Sequence, residues 1–478
     1  MQKRGLRPSW RSVHPSGGAA EDHSHARHGQ SMRGRWYARR PMQPRSNTTR
    51  ADDPDSRAAT PRVFYGWVIV GVGAILTFLG TGFYSYSRGV FLPSLAEELA
   101  DGSRFKIAMG FSAAAITGAV VAPFLGHILD RYSPRTVILV GVGIVTASYI
   151  GLAATQNLWQ FYLVVGVGMG FGMTCMGNLS WHKTIISWFD HWRGRAIALG
   201  VMGASLAGVV MPPLVTMLVD EIGWRLAYVV FAGMVVAVLV PLVWFFMINR
   251  PEDIGEVRDG KRYVEKQETP VTEDAVETRT WRWQEFFRLP AFWATGLIFG
   301  AMGCVYSAVM LHLFGHLKDV GLEATNAAYV LSATALFAAL GKPVVGWLSD
   351  AVGARVTTWI ALVTQGVALV MFAHADTFVM SVIAGSTYGF GYSGMSPLRT
   401  FALSVAVGNT RFATANGILR IVQLPLVISA SPLAGYIYDQ TGSYQLAFLI
   451  LAGLMAVCCA GPLFLRAGGA RERRERSI

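Results

Sequence analysis

Gly126 to Arg135 reads GHILDRYSPR, and Gly346 to Arg355 reads GWLSDAVGAR. Each begins where a long apolar run ends, and each sets an Asp four residues and an Arg nine residues after the Gly. The offset is 346 − 126 = 220. A second pair, PPLVTMLVDEIG from Pro212 to Gly223 and SPLAGYIYDQTG from Ser431 to Gly442, keeps Pro, Leu, Asp and Gly in step at 432 − 213 = 219. The chain is therefore a tandem duplication, and its apolar runs place that duplication in a membrane. Two like halves about a central site are the arrangement that alternating access requires.

Composition agrees with this. The 478 residues are 53% hydrophobic and 15% charged, with a mean hydropathy of +0.40, outside the balance of a soluble domain. A bilayer core takes about 20 apolar residues per helix. Twelve such runs begin near Tyr65, Ile107, Thr136, Leu158, Ala196, Leu226, Ala291, Thr325, Thr357, Thr377, Thr414 and Tyr444, six in each half. A barrel strand would alternate polar and apolar residues, and FAGMVVAVLVPLVWFFMI does not. The expected fold class is all-α, with twelve transmembrane helices in two pseudo-symmetric six-helix bundles. Cys175, Cys304, Cys458 and Cys459 lie in apolar runs without metal-ligand spacing, so they are expected to be small packing residues. No cofactor or metal motif is present.

The expected organisation is a disordered basic tail over 1–62, a first bundle over 63–248, a linker over 249–290, a second bundle over 291–466 and a basic tail over 467–478. Residues 1–62 carry 13 Lys and Arg against 5 Asp and Glu and lack apolar periodicity. The net charge of +12 gathers at membrane-flanking segments, which points to topology and not to nucleic acid. Arg131, Arg135, Lys183, Arg193, Arg195, Arg355, Arg399 and Arg411 fall on one side, whereas Arg104, Lys106, Arg225 and Lys318 fall on the other. The positive-inside rule then puts both termini in the cytoplasm, at the plasma membrane or, in a bacterium, the inner membrane.

At the repeated motifs the chain resembles the major facilitator superfamily over nearly its whole length after residue 62. Gly126 to Arg135 is similar to that superfamily's signature loop between helices 2 and 3. WFDHWRGRAIALGVMGASLAG, Trp188 to Gly208, together with Gly223-Trp224-Arg225, YDQTGSY and RPEDIG, resembles the monocarboxylate porter and oxalate:formate antiporter families. Asp190-His191-Trp192 stands where those families carry a more basic run. In physical terms, Gly126 and Gly346 would let helices approach closely. Asp130 and Asp350, with Arg131, Arg135 and Arg355, would form a gating charge clasp between the inner ends of the halves.

Ionisable residues inside the apolar runs carry the most functional information. Arg88 lies toward the outer part of helix 1, Lys342 in helix 8, Arg399 in helix 10 and Arg420 in helix 11, and no Asp or Glu lies well inside any run. A central Arg or Lys costs about 3 kcal/mol on insertion scales, which an anionic substrate would offset. Arg88 and Lys342 belong to opposite halves and are the first candidates for binding it.

The resemblance implies the same pair. Tyr84 and Arg88 match the helix 1 segment of monocarboxylate porters, where the cation is Lys. Lys342 stands at their helix 8 arginine, which keeps the charge and loses the bidentate geometry. Proton-coupled porters carry an aspartate one turn before that cation, and this chain has Ala338. A proton would then travel on the substrate, or on His312 or His316. Asn178, Tyr306, His312 and Arg420 complete the candidate substrate set.

The expected function is secondary transport of a small organic anion, a monocarboxylate first, by a monomer in the bilayer, with a proton or a counter-anion as co-substrate. A drug or metabolite exporter of the same fold, and a membrane anion sensor that transports nothing, are the alternatives. An enzyme would need a nucleophile and base, paired acids or an HExxH cluster, and the sequence offers none.

Overall fold

The structure is a computed structural model that describes residues 64–190, 192–259, 283–407 and 412–465. The expected tails, the linker part 260–282, and the positions His191 and Arg411 lie outside the described residues.

Among the described residues, ten helices are long and apolar enough to cross a membrane. In chain order they are α1 Gly66–Leu99, α2 Arg104–Arg131, α3 Pro134–Ala153, α4 Leu158–Trp188, the segment Arg193–Phe246, α7 Pro290–Asp319, α8 Ala324–Val352, α9 Ala354–Ala373, α11 Ala415–Thr441 and α12 Gln445–Phe464. The twelve expected runs map onto these with two differences. Arg193–Phe246 is interrupted by Gly223, at φ 76° and ψ 163°, so its two parts, 193–222 and 224–246, are α5 and α6. Helix α10 is split into Phe378–Ser393 and Met395–Val407. Gly394 between them keeps right-handed helical dihedrals, so the axis carries on.

The duplication is visible in the turns. Positive φ occurs at Gly102 and Gly321, and at Gly223 and Gly442. The offsets, 321 − 102 and 442 − 223, are both 219. These four turns lie at one face of the molecule, here the far face, where only a residue without Cβ enters that region freely. The opposite face, which carries the 126–135 and 346–355 segments and the start of the linker, is the linker face.

Local sequence explains four helix starts directly. Ser103, Ser133, Asn157 and Thr377 each accept a hydrogen bond from the backbone N–H three residues on, the N-cap that α2, α3, α4 and α10 need. Pro134 follows Ser133 as the first residue of α3, where its missing N–H costs nothing. Glycines set the packing inside each half. A Cβ on Gly170 would meet Ala114 O at 2.7 Å and one on Gly172 would meet Val145 N at 3.0 Å, so alternate glycines of α4 seat it on α2 and α3. This is the close-packing face that the Gly166, Gly168, Gly170 and Gly172 spacing suggests. Gly126 and Gly346 behave otherwise. Nothing lies within 4 Å of a Cβ on either, so the close approach expected at the repeated motif is not made here.

The described residues after 62 pack as one compact unit, joined across the halves along α2–α11, α5–α8 and α1–α7. Two hydrogen bonds cross at mid-depth and repeat each other. Ser112 Oγ donates to Ile428 O at 2.6 Å, and Ser332 Oγ donates to Val209 O at 2.7 Å. Donors and acceptors are again one repeat apart (332 − 112 = 220; 428 − 209 = 219).

Candidate functional site

Helix α1 is not uniform. Its first turns are α-helical, Gly82–Tyr86 is a π-helical turn, and α-helix resumes at Arg88. Such a wide turn leaves side chains off the regular register and is frequent at functional sites. Buried Ser87 donates its hydroxyl hydrogen to Gly82 O at 2.8 Å, which satisfies one of the carbonyls released by the widening. Gly89 then lets α7 come close, since a Cβ there would lie 2.9 Å from Met310 O. Arg88 therefore sits where α1 meets the other half. It also lies eleven residues short of the end of α1 (99 − 88 = 11), about 16 Å at 1.5 Å per residue. With 22 residues of the helix before it (88 − 66 = 22), Arg88 lies in the far-face third of α1, in keeping with the expected position toward that end of the helix.

A cavity of about 440 Å³ opens beside it, lined by residues of α1, α2, α4, α7 and α11. Arg88, Tyr84, Asn178 and Tyr306 all line it, so four of the seven candidate substrate residues are brought together. No Asp or Glu is in the lining. Among the described residues Arg88 has no ion pair and no hydrogen bond, and its Nε is buried without a partner. The nearby side chains that feel its charge are Tyr84, Tyr306 and His312, none of them an anion.

Several hydroxyls in the lining are already committed. Ser112 serves Ile428 O, Thr174 serves Gly170 O, and Ser307 and Ser431 bond each other at 2.9 Å. Asn178 begins the second part of α4 after Gly177, whose ψ of −168° breaks the helix. Its Oδ1 accepts from Trp181 Nε1 at 3.1 Å, which turns the amide nitrogen away from that bond and leaves its two donors available. Tyr306 stacks on Tyr392 with ring centroids 4.5 Å apart. The arrangement offers one full positive charge, amide and phenol donors, and a partly apolar wall. It fits a small solute with one anionic end.

The other three candidates lie elsewhere. His312 is fully buried with both ring nitrogens engaged, Nδ1 with Tyr444 Oη and Nε2 with Ser431 O, each at 2.8 Å. It ties α7 to α11 and α12 and does not line the cavity. Lys342 is exposed, and its Nζ donates to Ser205 Oγ of α5 at 2.9 Å. It bridges the halves along the α8–α5 seam and is not among the cavity-lining residues. Arg420 is exposed two turns into α11 from the linker face, beyond the cavity.

The expected gating residues do not meet across the halves. Asp130 pairs with Lys183 Nζ at 2.7 Å within its own half. Arg135 donates to Trp244 O and lies over the Trp244 ring, and Arg355 lies over Trp359. Arg131 and Asp350 are exposed. Among the described residues, no hydrogen bond or ion pair joins the two halves at the linker face.

At the far face they are locked, by a residue that the sequence marked only as a topology charge. Arg104 is 7% exposed. Its guanidinium holds Asp319 through both terminal nitrogens at 2.6 and 2.9 Å, donates to Tyr444 Oη, and lies 3.8 Å from the Tyr438 ring centroid. Asp439 caps the start of α2 from the other half, accepting from the backbone N–H of Arg104 and Phe105 and from Ser103 Oγ. Gly315 and Gly435 make the room, each with α2 atoms within 3 Å of a built Cβ. No sequence signal marks this latch, whose partners are 215 and 335 residues apart.

Among the described residues no group of His, Cys, Asp and Glu is arranged to hold a metal ion.

Comparison with known proteins places this architecture. A family model described as Major Facilitator Superfamily matches residues 77–426 and 317–477. Among curated relatives, "Uncharacterized MFS-type transporter YcxA" of Bacillus subtilis is 24% identical over 74% of this chain and 85% of its own length. Monocarboxylate transporter 13 of Rattus norvegicus is 26% identical over 72% and 75%, and monocarboxylate transporter 2 of Homo sapiens 23% over 86% and 88%. Two solved structures share the fold. A bacterial homolog of the human lysosomal transporter Spinster, inward-facing and occupied, has a TM-score of 0.65 at 14% identity over 85% of this chain and 97% of that one. The nucleoside transporter NupG has a TM-score of 0.67 at 15% identity, over 83% and 100%.

Proposed function

The chain belongs to the major facilitator superfamily, as a multi-pass membrane transporter of small molecules and not an enzyme, and on that premise we propose that its cargo is a small organic monoanion, first a monocarboxylate. One observation carries the reading: an arginine with no acidic partner faces a cavity whose lining has no carboxylate. Burying Arg88 there costs about 3 kcal/mol on insertion scales, and a cargo carboxylate recovers that cost through charge-assisted hydrogen bonds. The donors of Asn178 and Tyr306 serve its second oxygen or an α-substituent. The names of the monocarboxylate transporter relatives support the same class.

The moving parts in this reading are 63–248 and 291–466, rocking about the paired mid-depth bonds of Ser112 and Ser332. The linker face, rich in Arg, is cytoplasmic by the positive-inside rule, which puts both termini in the cytoplasm and the Arg104 latch outside. The conformation is then closed outside and released inside. With no carboxylate in the lining to carry a proton, exchange of one anion for another is the favoured coupling.

Uptake of labelled lactate, pyruvate, formate, oxalate and longer acids into proteoliposomes tests this. Arg88→Gln is expected to lower carboxylate transport at least a hundredfold. If no carboxylate moves, or if Arg88→Gln moves it as fast as the unaltered protein, the anion reading falls and an exporter of uncharged or cationic solutes takes its place.

A further inference from the structure

At the linker face the two halves carry three arginines and a histidine that the central site does not use. Arg399 of α10 and Arg420 of α11 come from one half; His182 of α4 and Arg193 at the start of α5 come from the other. All four lie near the linker-face ends of their helices: His182 six residues before Trp188, Arg193 at the first residue of α5, Arg399 eight before Val407 and Arg420 eight after Phe412. Arg420 acts electrostatically on both Arg399 and His182, and Arg193 also acts on His182. Arg399 Nε and His182 Nε2 are buried with no hydrogen-bond partner. Among the described residues none of the four has an ion pair, whereas nearby Lys183 is paired with Asp130. The cluster is continuous with the cavity: Arg399 adjoins Tyr392, which stacks on the cavity-lining Tyr306.

We propose that this mouth is a second anion site, formed by Arg399 and Arg420 facing His182 and Arg193, which takes a compact oxyanion, a carboxylate or phosphate group, and closes around it. The physical reason is the placement of like charges on both lips. When the halves rock together at the linker face Arg399 and Arg420 approach Arg193, and their repulsion grows as 1/r in a region where water is being expelled. An anion between the lips reverses the sign of the interaction, and the two unpartnered buried nitrogens gain their missing partner. Occupation of the mouth thus favours closing, and an empty mouth stays open. This holds whatever the central cavity carries.

The oxyanion has two sources, the aqueous phase and lipid headgroups, and the experiment separates them. Full-length protein, with its four cysteines replaced, carries spin labels at Tyr132→Cys and Val352→Cys, both exposed at the linker face. It is placed in nanodiscs of uncharged zwitterionic lipid, and inorganic phosphate is titrated while the inter-label distance is measured. Phosphate is expected to raise the short-distance population. The half-saturating concentration should rise at least tenfold in Arg399→Gln/Arg420→Gln, stay within twofold in Arg88→Gln, and largely recover in Arg399→Lys/Arg420→Lys. The milder Arg420→Gln alone, at an exposed position, keeps the test open if the double variant fails to fold.

If phosphate does nothing but nanodiscs containing phosphatidylglycerol close the mouth, with the same dependence on Arg399 and Arg420, the site belongs to headgroups. The site is overturned if the double variant responds to phosphate as the unaltered protein does. It is equally overturned if Arg88→Gln alone abolishes the response, or if neither phosphate nor phosphatidylglycerol moves the labels. Since Arg88→Gln is expected to lose transport yet keep this response, failure of the mouth site and failure of the cargo reading give different results.

Discussion

The α2–α11 and α5–α8 seams are copies of each other at mid-depth and differ at the far face. Ser112 and Ser332 make the same bond one repeat apart, to Ile428 O and Val209 O. One repeat also separates Asp439 from Asp220 (439 − 220 = 219) and Arg104 from Ala324 (324 − 104 = 220). Asp439 caps α2, while Asp220 is exposed and caps nothing among the described residues. The α2–α11 seam therefore ends in a network in which buried Arg104 and Tyr444 meet the more exposed Asp319 and Asp439, and the α5–α8 seam ends without one. A duplicated scaffold supplies two equivalent hinges. Two differences between the repeats decide which of them carries a lock: arginine against alanine at 104 and 324, and aspartate against alanine at 319 and 100 (319 − 219 = 100).

Removing the lock is the most severe way to break this contrast. Arg104→Leu leaves Asp319 without its counter-charge and removes the donors to Tyr444. For a buried arginine paired with a partly exposed aspartate the loss is about 2 kcal/mol, enough to move a two-state equilibrium by more than tenfold. Labels at Trp159 and Val379, exposed near the far face in opposite halves, are expected to move apart. An unchanged distance distribution would show that packing, and not the ion pair, seals that face.

The equality of the seams at mid-depth is tested by Ser112→Ala and Ser332→Ala. Each removes one interhelical hydrogen bond of about 0.6 kcal/mol. Thermal unfolding should place the two variants within experimental error of each other, and a clear difference would mean the seams are unequal there too. The gentlest change builds the missing lock. Ala324→Arg sets a cation at the position matching Arg104, and a pair with exposed Asp220 is worth about 0.5 kcal/mol. The expected outcome is a modest rise in the far-face-closed population, absent when Asp220→Asn is combined with it.

The candidate site was legible in part. Arg88, Tyr84, Asn178 and Tyr306 were readable because a charge or a polar group inside an apolar run demands an explanation, and four such groups do converge. Lys342, His312 and Arg420 satisfied the same criterion and were misplaced, since run membership fixes depth and not facing. His312 shows the reason: its ring bonds Tyr444 and the Ser431 carbonyl, partners more than a hundred residues away. The repeated glycines were misjudged for a related cause. Gly170 packs tightly and Gly126 packs against nothing in this conformation, although both lie in helix-ending or helix-lining motifs.

What the sequence determined by itself is the fold class and the duplication, because hydropathy and repeat offset are local quantities that sum along the chain. Pairings between distant helices were decided only in three dimensions: the Arg104 latch, the acid-free cavity at Arg88, and the cationic mouth at Arg399 and Arg420. Those depend on the rotation of each helix about its axis. Rotation is set by the packing of all its neighbours at once, through small residues such as Gly315 and Gly435 whose effect appears only when another backbone arrives beside them.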